Sequence, residues 1–235
     1  PNYHLADLPI VDVLTDALDI PVWLENEANL SALAEKTFVE NHKNLIHVSI
    51  HAGVGAGIIL DHHLYTGFAG TAGEAGHMIV QPGGRSCPCG NHGCLEQYIS
   101  EPAVLSRYQE LSGRTTVSID DLVWSYNQKE ADALAVVNEF TTYLACGINN
   151  LWNLFSPECI ILNSQLTAYL PQLLPEILQK LSARFRATCQ LKLSTLQDTG
   201  VLLGAARVCI SKYLGIEKLY FPAFSHDTLF DSLLA

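Results

Sequence analysis

Four metal-ligating side chains within 18 residues constrain this chain more than any other feature. His77, Cys87, Cys89 and Cys94 stand in the pattern H-x9-C-x-C-x4-C, with glycines at 83, 84, 90 and 93. Thiolates and imidazole suit zinc, and three Cys with one His close a tetrahedron, as in structural zinc sites. The glycines permit the tight turns that chelation needs, and the ion can hold a loop too polar to hold itself. His92, between Cys89 and Cys94, is a rival fourth ligand. The plainer alternative is three free thiols and an unrelated histidine; ligand count and type favour the metal. A closed ligand set argues against a catalytic zinc. The spacing and the absence of basic neighbours argue against a DNA-reading finger.

Around this cluster the pattern is α/β. Val11, Leu14 and Leu18 fall at helical spacing, and Pro21–Leu24 reads as a short buried strand. A helix is predicted over 28–40, with Leu30, Leu33, Ala34 and Phe38 on one face. Ile46, Val48 and Ile50 alternate with His47, Ser49 and His51, the period of a strand. A turn carrying Gly53, Gly55 and Gly57 follows, then a strand at 58–60 and a hairpin turn at 61–63. Residues 67–95 are mostly loop. Helices are expected from Pro102 onward, with Ser118 and Asp121 forming a capping box and a long helix over 131–154. A strand at 159–162, helices over 165–187, a strand at 191–196 and a helix at 201–214 complete the pattern. Strands alternating with helices indicate an α/β fold.

Composition narrows the function classes. The 235 residues carry 13 basic and 24 acidic side chains, a net charge of −11, so this segment is not itself a DNA-gripping surface. Apolar residues make up 49%, enough for a buried core, yet no run is long enough to span a membrane. Seven cysteines are an odd number in no disulfide pattern, and the N-terminus lacks a secretory signal, which suggests a reducing, cytoplasmic setting. Cys146, Cys159, Cys189 and Cys209 sit among apolar neighbours and are expected as core thiols, and Trp23, Trp124 and Trp152 as core aromatics. His62-His63 is expected solvated at its turn. The apolar tail over 215–235 should pack back on the chain or a partner.

The stretch Gly73-Glu74-Ala75-Gly76-His77 through Cys87-Pro88-Cys89-Gly90-Asn91-His92-Gly93-Cys94-Leu95-Glu96 resembles the signature of the ROK family of repressors, open reading frames and sugar kinases. The glycines at 53, 55 and 57 and at 67, 70, 73 and 76 resemble its second signature, and Glu25-Asn26-Glu27-Ala28-Asn29 its sugar-site segment. Asn153-Leu154-Phe155-Ser156-Pro157 resembles its later Asn-x-x-x-Pro turn. Within the family the chain is most similar to xylose- and N-acetylglucosamine-type repressors. The resemblance implies an actin-like, ribonuclease-H-like ATPase fold of two α/β lobes. Residues 1–43 would be a remnant of the first lobe, 44–214 the second lobe with its zinc loop at 77–94, and 215–235 a returning tail. It implies a structural zinc on His77, Cys87, Cys89 and Cys94. It also implies a sugar or sugar phosphate held by Asn26, Glu74, His77 and Glu96, with a phosphate turn at Gly53, Gly55 and Gly57. Carboxylates and amides on fixed loops are the partners that sugar hydroxyls need.

Three departures separate repressor from kinase. Kinases of the family carry an aspartate base where this chain has Glu27, the candidate base if the chain is a kinase. They carry Gly-Gly where this chain has Asn163-Ser164, whose side chains hinder close approach to a nucleotide. Their first phosphate loop, Asp-x-Gly-x-Thr, does not occur before Glu25. The expectation is therefore the effector-binding part of a repressor, forming a homodimer or larger homo-oligomer. DNA would be read by a winged helix-turn-helix missing from this chain, and a sugar-transport protein is a possible partner. A glucokinase-like sugar kinase seen as a fragment is the alternative. A zinc-stabilised module for a protein partner is a third reading.

Overall fold

The computed structural model describes residues 8–216 and 219–221. Its centre is a five-stranded mixed sheet, β1 (Leu45–Ile50), β2 (Val54–Leu60), β3 (His63–Leu64), β4 (Cys159–Ser164) and β5 (Gln190–Leu193). The order is β3-β2-β1-β4-β5. β1 pairs antiparallel with β2 through the glycine turn and parallel with β4, and β4 pairs parallel with β5. Parallel β1 and β4 need a long crossover, and residues 65–158 supply it.

Both faces of the sheet are covered, so β1 is buried at every residue, His47 and Ser49 included. On one face Ile46, Val48, Ile50, Ile160 and Leu162 join the main core with Phe140, Leu144 and Ile148 of α6 (Ala131–Phe155). Helices α3 (Glu96–Ile99), α4 (Glu101–Ser112), α5 (Ile119–Asn127) and α8 (Leu173–Lys180) add to that layer. On the other face Leu45, Ile59, Cys159 and Ile161 meet Ala32 and Leu33 of α2 (Glu27–Ala34). Behind α2 lies α10 (Thr199–Leu214).

Helix α2 is the part of 1–43 that seats on this sheet. Its sequence, Glu-Ala-Asn-Leu-Ser-Ala-Leu-Ala, is dominated by small residues, so its backbone packs close on both sides. A Cβ on Gly57 of β2 would lie 2.2 Å from the Ala28 carbonyl oxygen, and one on Gly204 of α10 would lie 2.0 Å from that of Leu30. The helix then widens into a π-helical turn over Glu35–Val39.

Most predicted elements are present, and the capping box is formed in full: Ser118 accepts from the Asp121 N–H, and Asp121 accepts from the Ser118 N–H. The hairpin turn is formed by Asp61 and His62, both with positive φ. Several expectations are corrected. Pro21–Leu24 is not a strand, because it pairs with no strand among the described residues, and Trp23 and Leu24 are 43% and 73% exposed. Trp124 is exposed, since on α5 the buried positions are 119, 122, 125 and 126, out of phase with 124. Cys146 on α6 and Cys209 on α10 face outward for the same reason, whereas Cys159, Cys189 and Trp152 are buried as expected. β5 stops at Leu193. Of the C-terminal segment, Phe221 stacks on Phe38 with ring centroids 5.4 Å apart, while Phe224, Leu229, Phe230 and Leu233 lie outside the described residues. No helix among the described residues is long and apolar enough to cross a membrane.

Two buried ionisable groups give the fold a pH dependence. Glu35 is buried in the π-helical turn, where the Ser194 hydroxyl donates to it. Burial raises its carboxyl to about 7. The folded value exceeds the unfolded one, so Glu35's contribution is complete below the normal glutamate range and is lost as pH rises through about 7. His47 has the opposite sign. Burial lowers it to about 3, so its contribution is full above the normal histidine value and is lost as pH falls. Glu35→Gln should therefore raise the unfolding free energy at pH 8 by an amount on the order of 3 kcal/mol, and the gain should vanish toward pH 4.5. Thermal denaturation of both proteins across that range checks it. A pH-independent difference would remove the role given to Glu35.

Candidate functional site

The cavity at the end of β1 draws its polar groups from four segments. It measures about 260 Å³ and is lined by Asn26, Glu27, Ser49, His51, Gly53, Glu74, His77 and Glu96, among others. Asn26 is the N-cap of α2, its Oδ1 accepting from the Ala28 N–H at 2.8 Å. The neighbouring Glu27 receives a 3.5 Å hydrogen bond from the Ser49 hydroxyl of β1. The close approach of α2 to Gly57 is what brings this helix end to the cavity. Gly55 and Gly57 are strand residues of β2, and the space their missing side chains leave is taken by α2; Gly53 alone stands at the turn.

Glu74 comes from the loop between β3 and α3, sewn to β2 by glycines. The Ala56 N–H donates to the Gly73 carbonyl at 2.8 Å, and a Cβ on Gly73, at φ +86°, would lie 1.9 Å from the Ala56 oxygen. Glu96 begins α3 and is 7% exposed; its Oε2 accepts from the Val54 N–H at 3.1 Å. That bond fixes one carboxylate oxygen on β2.

Beside the cavity the ligand atoms of His77, Cys87, Cys89 and Cys94 all lie within 4.8 Å of one another. The Cys89 and Cys94 sulfurs are 3.7 Å apart, as are the Cys87 sulfur and His77 Nδ1. Tetrahedral zinc with Zn–S near 2.3 Å and Zn–N near 2.0 Å needs such edges at roughly 3.5–3.8 Å, so the donor set fits a metal of that size. His92 is exposed and stands outside the group. The loop is shaped by hydrogen bonds from Cys87 N to the Asn91 carbonyl and from Gly93 N to the Arg85 carbonyl. Burial and the neighbouring thiols push Cys94 up to about 12, which a bound cation would reverse. The Gln97 side-chain amide reaches the Cys87 sulfur at 3.7 Å.

The His77 ring joins the two features. Its Nδ1 faces the cysteines, and its Nε2 is 3.7 Å from Glu74 Oε2 at the cavity. Every sequence-predicted sugar residue thus lines one cavity. Ser49, His51 and Gln97 carried no signal of their own. His51 could have been read from its place at the end of β1, before the glycine turn.

This sheet, the glycine-packed loop and the His-Cys cluster define a protein of the ROK family, and the chain belongs to it: the family's model matches residues 1–212. The fold is the actin-like, ribonuclease-H-like α/β fold of that family. Among curated relatives, the chain is 34% identical to the xylose repressor of Bacillus spizizenii over 225 residues, 93% of this chain and 58% of the repressor. It is 31% identical to a glucokinase of Halalkalibacterium halodurans, covering 86% of this chain and 68% of that enzyme. The crystal structure of a ROK family transcriptional regulator, a homolog of the E. coli MLC protein, superposes with a TM-score of 0.76 at 31% identity, covering 92% of this chain and 58% of that one. A ROK family glucokinase from Streptomyces griseus, in complex with glucose and AMPPNP, superposes with a TM-score of 0.72 at 25% identity, covering 85% and 72%. The chain spans under two thirds of the length of the xylose repressors it matches.

Proposed function

We propose that this chain is the sugar-sensing part of a transcriptional repressor of sugar metabolism, with a neutral sugar as effector and a structural zinc. The observation that carries the ligand class is the cavity lining. Three carboxylates, Glu27, Glu74 and Glu96, converge there with Asn26, Ser49, His51 and His77, and neither Lys nor Arg lines it. Carboxylates accept from sugar hydroxyls, whereas a phosphate would meet like charge. A sugar phosphate is thereby disfavoured.

In this reading Glu74 and Glu96 accept from hydroxyls, and Asn26 and His77 add further contacts. Zinc on His77, Cys87, Cys89 and Cys94 fixes the loop that presents them. DNA binding falls to a winged helix-turn-helix outside these 235 residues, in a cytoplasmic homodimer or larger homo-oligomer. A sugar-transport protein is a further candidate partner. Sugar binding with unequal affinity for two arrangements shifts their populations, and DNA is released. The likeness to xylose repressors over 93% of the chain supports this choice.

The experiment is calorimetric titration with xylose, glucose and N-acetylglucosamine, alone and with Glu96→Ala or Glu74→Ala. The expected result is binding of one of these sugars, weakened roughly 10- to 100-fold by either substitution, each removing a hydrogen bond to a charged group. Zinc content should be unchanged. Failure of every sugar to bind would end the proposal. The kinase reading rests on the glucokinase relatives, with Glu27 as base and Gly53 at the phosphate turn. Sugar-dependent ADP formation, lost in Glu27→Gln, would establish it instead.

A further inference from the structure

A second cavity, of about 290 Å³, opens where the C-terminal ends of the parallel strands β1 and β4 lie side by side, the place where open α/β sheets hold ligands. His51 lines both cavities, so the two adjoin. Among the residues lining the second one, His51 Nδ1 lies 3.6 Å from Glu101 Oε1. Its floor is Asn163 and Ser164, 6% and 3% exposed. The Asn163 side-chain amide makes a long hydrogen bond, 3.5 Å, to the Gln197 carbonyl, and Ser164 lies beside it on the cavity floor. A hydroxyl and an amide facing a cavity are groups that a ligand's hydroxyls can pair with.

The charge of this lining decides the ligand. Glu101 and Asp198 are its ionic groups besides His51, and it contains neither Lys nor Arg. A nucleotide triphosphate would need a divalent cation between its charge and these two carboxylates, because no side-chain cation of Lys or Arg lines the cavity. Hydroxyls, amides and carboxylates together instead match a neutral, polyhydroxylated molecule. Each cavity alone is near the small end of the volumes that hold drug-sized ligands, and His51 stands where they adjoin, so a ligand larger than one cavity would extend past it.

We infer that the two cavities form one bipartite site, in which the second holds a further sugar unit or glycoside substituent of the ligand seated in the first. This rests on the sugar-binding reading above. The preferred ligand is then a disaccharide or glycoside, and Ser164, Asn163 and Gln165 are residues that set this preference.

The test is titration of the protein with monosaccharides and with disaccharides built from them, including maltose, cellobiose, gentiobiose and xylobiose. At least one disaccharide should bind roughly tenfold or more tightly than its own monosaccharide. Ala168→Phe, which fills the second cavity from α7 (Gln165–Tyr169), should abolish that gain while monosaccharide affinity is kept. Gln165→Ala, an exposed and milder change, should reduce it. Monosaccharide binding with no disaccharide gain, or a gain that survives Ala168→Phe, overturns the bipartite site and leaves the sugar-sensing proposal standing. Binding of AMPPNP that Ala168→Phe removes would assign the cavity to a nucleotide and overturn it as well. Failure of every sugar overturns both.

Discussion

Cys94→Ala should abolish metal binding and lower the melting temperature by roughly 6–12 °C, the equivalent of about 3 kcal/mol in a domain of this size. Cys94 is fully buried, and its sulfur is 3.7 Å from that of Cys89, so its removal opens one corner of the tetrahedron. Zinc binding in small finger peptides amounts to about 10–16 kcal/mol, the whole of their stability. Here the sheet and α6 remain without the metal, so the loss is confined to the loop and is a fraction of that. The loop keeps its own hydrogen bonds without the metal, among them Val80 N to the Gly93 carbonyl and Arg85 to Glu139, and isolated bridges join Ile79 to Cys94 and Ser86 to His92. Cys159→Ala is the control, since Cys159 is equally buried but stands in β4, outside the cluster. It should cost only the small cavity and leave metal content intact. Metal analysis beside calorimetry distinguishes the two. Full zinc occupancy in the Cys94 variant would sink the assignment.

The second large effect is expected at glycines that touch no ligand. Gly57→Ala places a methyl 2.2 Å from the Ala28 oxygen and 2.5 Å from the Ala32 Cβ, and Gly204→Ala places one 2.0 Å from the Leu30 oxygen. Neither obstacle is a flexible side-chain end, so helix α2 must shift or the variant must unfold. Overpacking of this kind costs about 1–3 kcal/mol or more. Gly57→Ala should also weaken sugar binding, because α2 carries Asn26 and Glu27 to the cavity. Gly215→Ala is the comparison: its φ is +65° but the space around it is open, so it incurs backbone strain without a clash. Denaturant unfolding should rank Gly57 and Gly204 well above Gly215. Equal losses at all three would show that conformation, not close approach, governs these positions.

Much of this architecture was legible in the residue order. Alternation marked β1, turn residues marked the hairpin at 61–63, and Ser118 with Asp121 marked the start of α5. The His-Cys cluster was legible because its members are close in sequence. The residues proposed to hold the sugar were not legible from the sequence pattern alone. Asn26, Glu74 and Glu96 are joined only by the fold, and the family resemblance supplied what spacing could not. Ser49 and His51 had no such help, since a strand's alternation does not reveal what packs on each face. The misplacements share one cause. Cys146 and Trp124 have apolar neighbours in sequence, but exposure on a helix follows phase, and both fall on the outer side. Pro21–Leu24 has the composition of a strand without a partner to pair with.

The shared imidazole of His77 has a consequence of its own. One ring nitrogen belongs to the cysteine cluster, and the other faces Glu74 across the cavity wall. Under the proposed function, metal and sugar would therefore converge on a single side chain. Removing zinc from the protein would then weaken sugar binding as well, and the molecule would act as a logical conjunction in which metal supply gates the reading of carbon supply.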